Sequence, residues 1–117
     1  MLSSKHRIVE KKDFKKIFRN GRGAKESFLV LKVLPNNLGY SRFAFIVSSK
    51  VSKKAVERNR IKRRLRYIIK KRLPYVQGGV DGIFIALPGI KEKSFSEVEK
   101  TVTIILKRLR VLGGENG

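Results

Sequence analysis

Guanidinium groups are the main chemical resource of this chain. Arg58, Arg60, Arg63, Arg64 and Arg66 crowd one short stretch, interleaved with Asn59, Lys62 and Tyr67 and flanked by Lys53, Lys54 and Lys70. An arginine fork matches a phosphate bidentately, and a lysine adds a point charge. Such a set is suited to holding a polyphosphate backbone, not to making or breaking bonds. The groups that catalysis usually needs are scarce. The chain has no cysteine and one histidine, His6, and its nine acidic residues are scattered from Glu10 to Glu115. Disulfides, thiolate zinc sites and histidine-based triads are therefore excluded. A metal-dependent nuclease needs convergent carboxylates, and no pair here has a spacing that suggests them. Gly21-Arg22-Gly23 lacks the remainder of a phosphate loop. The chain by itself is expected to bind rather than to catalyse.

Aromatic residues offer a second binding mode, because bases without a pairing partner stack on exposed rings. Phe14, Phe18, Phe28, Phe43 and Phe45 are candidates. Phe43, Phe45 and Phe84 are expected in the core, whereas Phe14 and Phe18 are divided between core and base stacking. Tyr67, amid the basic residues, is expected to be exposed.

One long helix must carry the guanidiniums. Ser52 as N-cap and Pro74 as stop predict a helix over 52–73. Ile61, Leu65, Ile68 and Ile69 recur at i, i+4, i+7 and i+8 as one apolar stripe, continued by the stem of Arg72. At about 100° per residue, Arg60, Arg63, Arg64, Tyr67, Lys70 and Lys71 fall on the opposite side, with Asn59 and Arg66 at its border. Between Lys53 and Arg72 only Glu57 is acidic. Stacked like charges cost a helix a few tenths of a kcal/mol per pair. A polyanion that normally neutralises the face accounts for that cost.

Composition agrees. The chain has 117 residues, 41% of them hydrophobic, and 29 lysines and arginines against nine acids give a formal charge of +20. That size suits one domain, 1–117, with a real core, and the charge points to a polyphosphate partner, nucleic acid ahead of an anionic membrane. No apolar run is long enough to span a membrane, and the N-terminus lacks a signal peptide's apolar stretch, so a cytoplasmic location is expected.

Residues 1–8 read as a flexible basic arm and 113–117 as a frayed tail. A short helix from Glu10 to Asn20 places Phe14, Ile17 and Phe18 on one face, and Gly21 suits a left-handed C-terminal residue. Glu26 to Leu34 and Ser41 to Ser48 read as strands joined by a turn, hence an antiparallel hairpin. Val80 to Leu87 is a third strand, apolar enough for a central position. Ser94 and Glu97 form a capping box that opens a last helix to about Leu112, stopped by Gly113-Gly114. The fold class is α+β, a small two-layer sandwich. Its mostly antiparallel sheet has three or four strands with three helices, in the order α-β-β-(β)-α-β-α. The second and third helices bury their stripes on the sheet, and the first covers another part of it or its edge.

Ala55-Val56-Glu57-Arg58-Asn59-Arg60-Ile61-Lys62-Arg63 closely resembles the signature of the bacterial ribonuclease P protein subunit. Arg7, Asp13-Phe14, Phe18 and Gly21 resemble that family's N-terminal pattern. Ser48, Lys50 and Val51 resemble its Ser-Lys-Lys-Val segment, and Asp81 to Ala86 its last strand. The resemblance implies a subunit that binds a large catalytic RNA, which itself hydrolyses precursor tRNA to release the 5′ leader with magnesium ions. It implies that the basic helix faces that RNA, through Lys53, Lys54, Arg58, Asn59, Arg60, Lys62, Arg63, Arg64, Arg66, Tyr67 and Lys70. It also implies that Phe14, Phe18, Phe28 and Lys50 meet the single-stranded leader, and that the crossover at the basic helix is left-handed. Ser49 and Leu87-Pro88-Gly89 depart from the family pattern, which expects basic residues there. No DNA or membrane partner is expected. The competing reading is a ribosomal or architectural protein that binds structured RNA without a role in cleavage. A DNA-binding regulator ranks lowest, for want of a helix-turn-helix pair or dimer seam.

Overall fold

Alternation of apolar residues along three strands divides the molecule into two cores. The computed structural model describes residues 3–76 and 78–112. Its elements run α1 (Lys11–Asn20), β1 (Arg22–Glu26), β2 (Leu29–Pro35), β3 (Arg42–Ile46), α2 (Ala55–Arg72), β4 (Val80–Ala86) and α3 (Phe95–Arg108). Leu29, Leu31, Val33, Phe43, Phe84 and Ala86 point to one face of the sheet. There they meet Ile61, Leu65, Ile68 and Ile69 of α2 and Val98, Val102, Ile105 and Leu106 of α3. Phe45 stacks on Phe84, so all three phenylalanines expected in the core are there. On the other face Ala44 and Ile83 form a smaller cluster with Ile8 and Ile17, against which Phe14, Leu34, Ile46 and Ile85 pack. The first helix thus adds a partial third layer opposite α2 and α3.

The fold is α+β with a mixed four-stranded sheet in the order β1-β2-β4-β3. Two of its pairings, β1–β2 and β2–β4, are antiparallel, and β3–β4 is parallel. The central place of β4 is as expected. The antiparallel hairpin expected between β2 and β3 does not form, because β4 inserts between them. The hairpin lies one step earlier: the stretch read as one strand from Glu26 splits at Ser27-Phe28. Ser27 takes a positive φ of 53°, as the first central residue of a II′-type hairpin turn does, and β1 folds back on β2 from Arg22↔Val33 to Glu26↔Leu29.

Gly21 and Gly82 are required by close approach. Gly21 has φ −78°, not a left-handed value. A Cβ there would stand 2.6 Å from the Ile17 carbonyl oxygen and 2.8 Å from that of Val33. At Gly82 a Cβ would lie 2.8 Å from the Phe43 ring.

Three further ends differ from expectation. The segment from Ser4 to Ile8 is docked rather than loose: Arg7 bridges to Phe43, and the Ile8 amide donates to the Phe43 carbonyl at 3.1 Å. Met1 and Leu2 of the expected arm lie outside the described residues. The long helix begins at Ala55, and Ser52 does not cap it. The Ser52 hydroxyl accepts from the Lys54 amide at 3.1 Å and donates to the Glu57 carboxylate. The last helix opens with the expected capping box but ends at Arg108. Arg110 adopts φ 59°, and the Arg110 and Val111 amides donate to the Lys107 and Leu106 carbonyls. This Schellman closure ends the helix without glycine; the expected stop at Gly113-Gly114 lies outside the described residues.

Candidate nucleic-acid interface

The buried stripe of α2 orients everything else on that helix. Ile61, Leu65, Ile68 and Ile69 are buried as expected, so the residues half a turn away must face solvent. Lys53, Lys54, Asn59, Arg60, Arg63 and Lys70 are exposed along that crest and the loop before it. Among the described residues no carboxylate lies within ion-pairing distance of these side chains. The acids that do pair across elements are elsewhere: Asp13 and Asp81 with Arg42, Glu26 with Arg108, and Glu99 with Lys71 and Arg72. The crest is therefore a row of side chains on a rigid rod, mostly cationic and none held in an ion pair, with Glu57 the acid whose charge reaches Lys54 and Arg60.

The flanks are less free. Arg58, Lys62, Arg64 and Arg66 are half-buried. One Arg58 nitrogen donates to the Ser52 carbonyl at 3.0 Å. Burial, with the charge of Arg7, pushes the Arg66 guanidinium below its usual pKa. Tyr67 is 53% exposed, but its ring centroid is 5.8 Å from that of Phe95 on α3. Lys71, expected on the free face, turns to α3 and pairs with Glu99 at 3.0 Å. Arg72 follows it, donating to Thr103 and pairing with Glu99 at 3.5 Å. The flank carrying Tyr67, Lys71 and Arg72 thus knits α2 to α3, and the free face is narrower than helical periodicity implies.

A second surface lies on the sheet face that α1 only partly covers. Strand register aligns Val30, Ile85 and Ile46 in one row and Lys32, Ile83 and Ala44 in the next. Ile83 and Ala44 are buried in the cluster that holds Ile17, whereas Val30, Lys32, Ile46 and Ile85 stay partly open. Phe14 packs partly against that cluster, and Phe18, one turn on, is 43% exposed. The result is a partly open apolar floor of Val30, Ile85 and Ile46 on the sheet face against which α1 packs Ile17 and, in part, Phe14, with Phe18 exposed on the same helix. Sequence reasoning misses these floor residues; their alternation marks a face but not its coverage.

Phe28, expected to meet the leader together with Phe14 and Phe18, does not share their face of the sheet. The Ser27-Phe28 turn breaks the alternation and rotates Phe28 into the opposite core, where it is 7% exposed beneath Lys93. Lys50 is exposed on the loop after β3. It joins Lys53, Lys54 and Lys91 around a depression of about 430 Å³ at the start of α2. Lys91, from the turn Ile90–Glu92 after β4, is a cation whose place here only the tertiary fold decides.

Among the described residues, no three histidine, aspartate or glutamate side chains converge as cation ligands would. No helix there is long and apolar enough to cross a membrane.

A family model described as Ribonuclease P matches residues 2–110. The ribonuclease P protein component of Microcystis aeruginosa is 35% identical over 113 residues, spanning 93% of this chain and 94% of its own. That of Syntrophomonas wolfei is also 35% identical, spanning 92% and 90%. The solved structure of the Staphylococcus aureus RNase P protein matches with a TM-score of 0.84 at 27% identity, over 92% of this chain and 98% of that one. The RNase P protein from Thermotoga maritima, solved with 1-(4-fluorophenyl)-2-thiourea, matches with 0.81 at 29% identity, over 87% and 98%.

Proposed function

The chain belongs to the ribonuclease P protein family, and from that premise we propose how its two surfaces divide the work. It is the protein component of an endoribonuclease that matures the 5′ end of tRNA, with catalysis carried by the RNA subunit. We assign the α2 crest to that RNA: Lys53, Lys54, Asn59, Arg60, Arg63 and Lys70 in the front row, with Arg58, Lys62, Arg64, Arg66 and the exposed edge of Tyr67 beside them. The single observation that carries this reading is the row of cations without carboxylate partners on a rigid helix. Each phosphate it neutralises releases counterions. The cleft of Phe14 and Phe18 with the Val30, Ile46 and Ile85 floor takes the single-stranded 5′ leader by stacking and apolar contact. Lys50, with Lys53, Lys54 and Lys91, stands where phosphates of either strand can be held.

Magnesium fits the RNA and the substrate phosphates better than this chain, whose described carboxylates are dispersed or ion-paired. The protein's contribution is counter-charge: cations fixed on a scaffold lower the magnesium needed to fold and dock the RNAs. A cytoplasmic location belongs to the same proposal.

The test is cleavage of a 5′-extended precursor tRNA by a bacterial ribonuclease P RNA at low magnesium. Stimulation is expected on adding this protein, and no cleavage from the protein alone. Tight RNA binding without stimulation would instead support an architectural RNA-binding role.

A further inference from the structure

The acids that form partly buried ion pairs have one main meeting point. Arg42 on β3 is 19% exposed and lies against Asp81 of β4, its hydrogen-bonded neighbour in the sheet. Arg42 Nε donates to Asp81 Oδ1 at 2.9 Å and Nη2 to Oδ2 at 2.6 Å. Asn36, from the loop after β2, donates to Asp81 Oδ1 at 2.7 Å. The remaining Arg42 nitrogen, Nη1, reaches Asp13 of α1 at 3.5 Å. Asp13 is also 19% exposed. It is the sole acid within α1, whose other ionisable residues are Lys11, Lys12, Lys15, Lys16 and Arg19.

The helical positions give this pair a consequence. Ile17 is the only fully buried residue of α1. Around the helix axis Asp13 lies about 40° to one side of Ile17, and Phe14 and Phe18 lie about 60° and 100° to the other. Ile17 is thus the deepest anchor of a short helix, with Phe14 packed only partly beside it, and serves as the pivot about which the helix can roll. An ion pair on one side of the pivot fixes where the aromatic pair on the other side points.

We propose that Asp13 is a positioning residue for the leader cleft: through Arg42 it sets the roll of α1, and so the distance of Phe14 and Phe18 from the Val30–Ile85–Ile46 floor. The inference rests on the reading of that cleft as the leader site. Asp13 itself does not touch the leader, and its effect is confined to substrates whose leader reaches the rings.

The experiment uses the reconstituted holoenzyme. Affinity is measured for a precursor tRNA with a long leader and for one trimmed to a single leader nucleotide, alongside affinity for the RNA subunit and thermal melting of the protein. Asp13→Asn is expected to reduce the affinity advantage of the long leader roughly three- to tenfold, with affinity for the RNA subunit unchanged. Asp13→Glu is expected to restore most of that advantage. Arg42→Lys, which loses the planar fork that holds both Asp81 oxygens while a third nitrogen reaches Asp13, is expected to reproduce the defect, and it decides the matter should Asp13→Asn not fold. Phe18→Ala separates the two ideas. An unaltered leader advantage in Asp13→Asn and Arg42→Lys, with a reduced one in Phe18→Ala, overturns the positioning role alone. An unaltered advantage in Phe18→Ala overturns the cleft reading and the inference with it.

Discussion

Arg60 and Arg63 show what a residue's neighbours add to its type. Both are exposed on α2 without a carboxylate at ion-pairing distance among the described residues, whereas Lys71, one more cation on the same helix, is held by Glu99. Reversing charge at Arg60 and Arg63 is expected to weaken binding to the RNA subunit. The slope of log affinity against log salt should fall by about one for each phosphate that is no longer neutralised. Filter binding across a salt series checks this, and an unchanged slope removes both residues from the interface. Glu97 allows a pH prediction. Its carboxylate accepts from the Ser94 backbone amide and interacts with the Ser94 side chain, and both lower its pKa. A depressed folded-state pKa gives stability that is complete above the ordinary carboxylate range and lost as pH falls through the lowered value. Glu97→Gln should therefore flatten the acid limb of a melting-versus-pH profile and leave the neutral region nearly parallel to the parent. Residue types alone mislead at Ser52, Phe28 and Gly21. Ser52 has a capping side chain but commits it to Glu57 and the Lys54 amide, and Gly21 is needed for two nearby carbonyls rather than for its backbone angle. In each case the deciding partner is another segment or a local turn that composition does not show.

Helical elements are legible in the sequence because their periodicity is strong. The apolar stripe of α2 is readable to the residue, and Leu65, fully buried at its centre, measures how much that stripe carries. Leu65→Ala is expected to cost about 2–5 kcal/mol, read from urea unfolding with an unchanged m-value. Strand β1 is hidden for the converse reason. Arg22-Gly23-Ala24-Lys25-Glu26 has no apolar alternation, and it becomes a strand because Ser27 turns the chain back along β2. The strand pairing departs from expectation because neighbours in sequence usually pair in space. Here β2 and β3 each pair with β4 instead. The candidate interface inherits this division: the helix crest can be named from sequence, but the cleft floor depends on where α1 stops covering the sheet.

For the whole molecule, a formal charge of +20 on 117 residues must oppose compaction. Screening or neutralising that charge should stabilise the free protein. Its melting temperature is expected to rise with added sulfate, and further with substoichiometric amounts of the RNA subunit. A melting temperature indifferent to salt would mean that the charges are spaced widely enough not to repel. The partly buried ion pairs among the described residues hold elements together: Glu99 joins α3 to α2, Glu26 joins β1 to α3, and Asp13 and Asp81 gather on Arg42. Much of the negative charge of this protein serves its architecture, and the surplus positive charge is left to a partner.

The place of β4 has a consequence during synthesis. It is the last strand made and the one that joins β3 to the β1–β2 hairpin. Until Val80–Ala86 leaves the ribosome, β3 has no strand partner from the hairpin, and the apolar stripe of α2 has no finished sheet beneath it. A nascent chain at that stage carries the cations of α2 beside an apolar stripe that has no complete sheet to cover it. Folding must therefore wait for long-range pairing, and α2 and β3 find their places on the sheet only after β4 has arrived between β2 and β3.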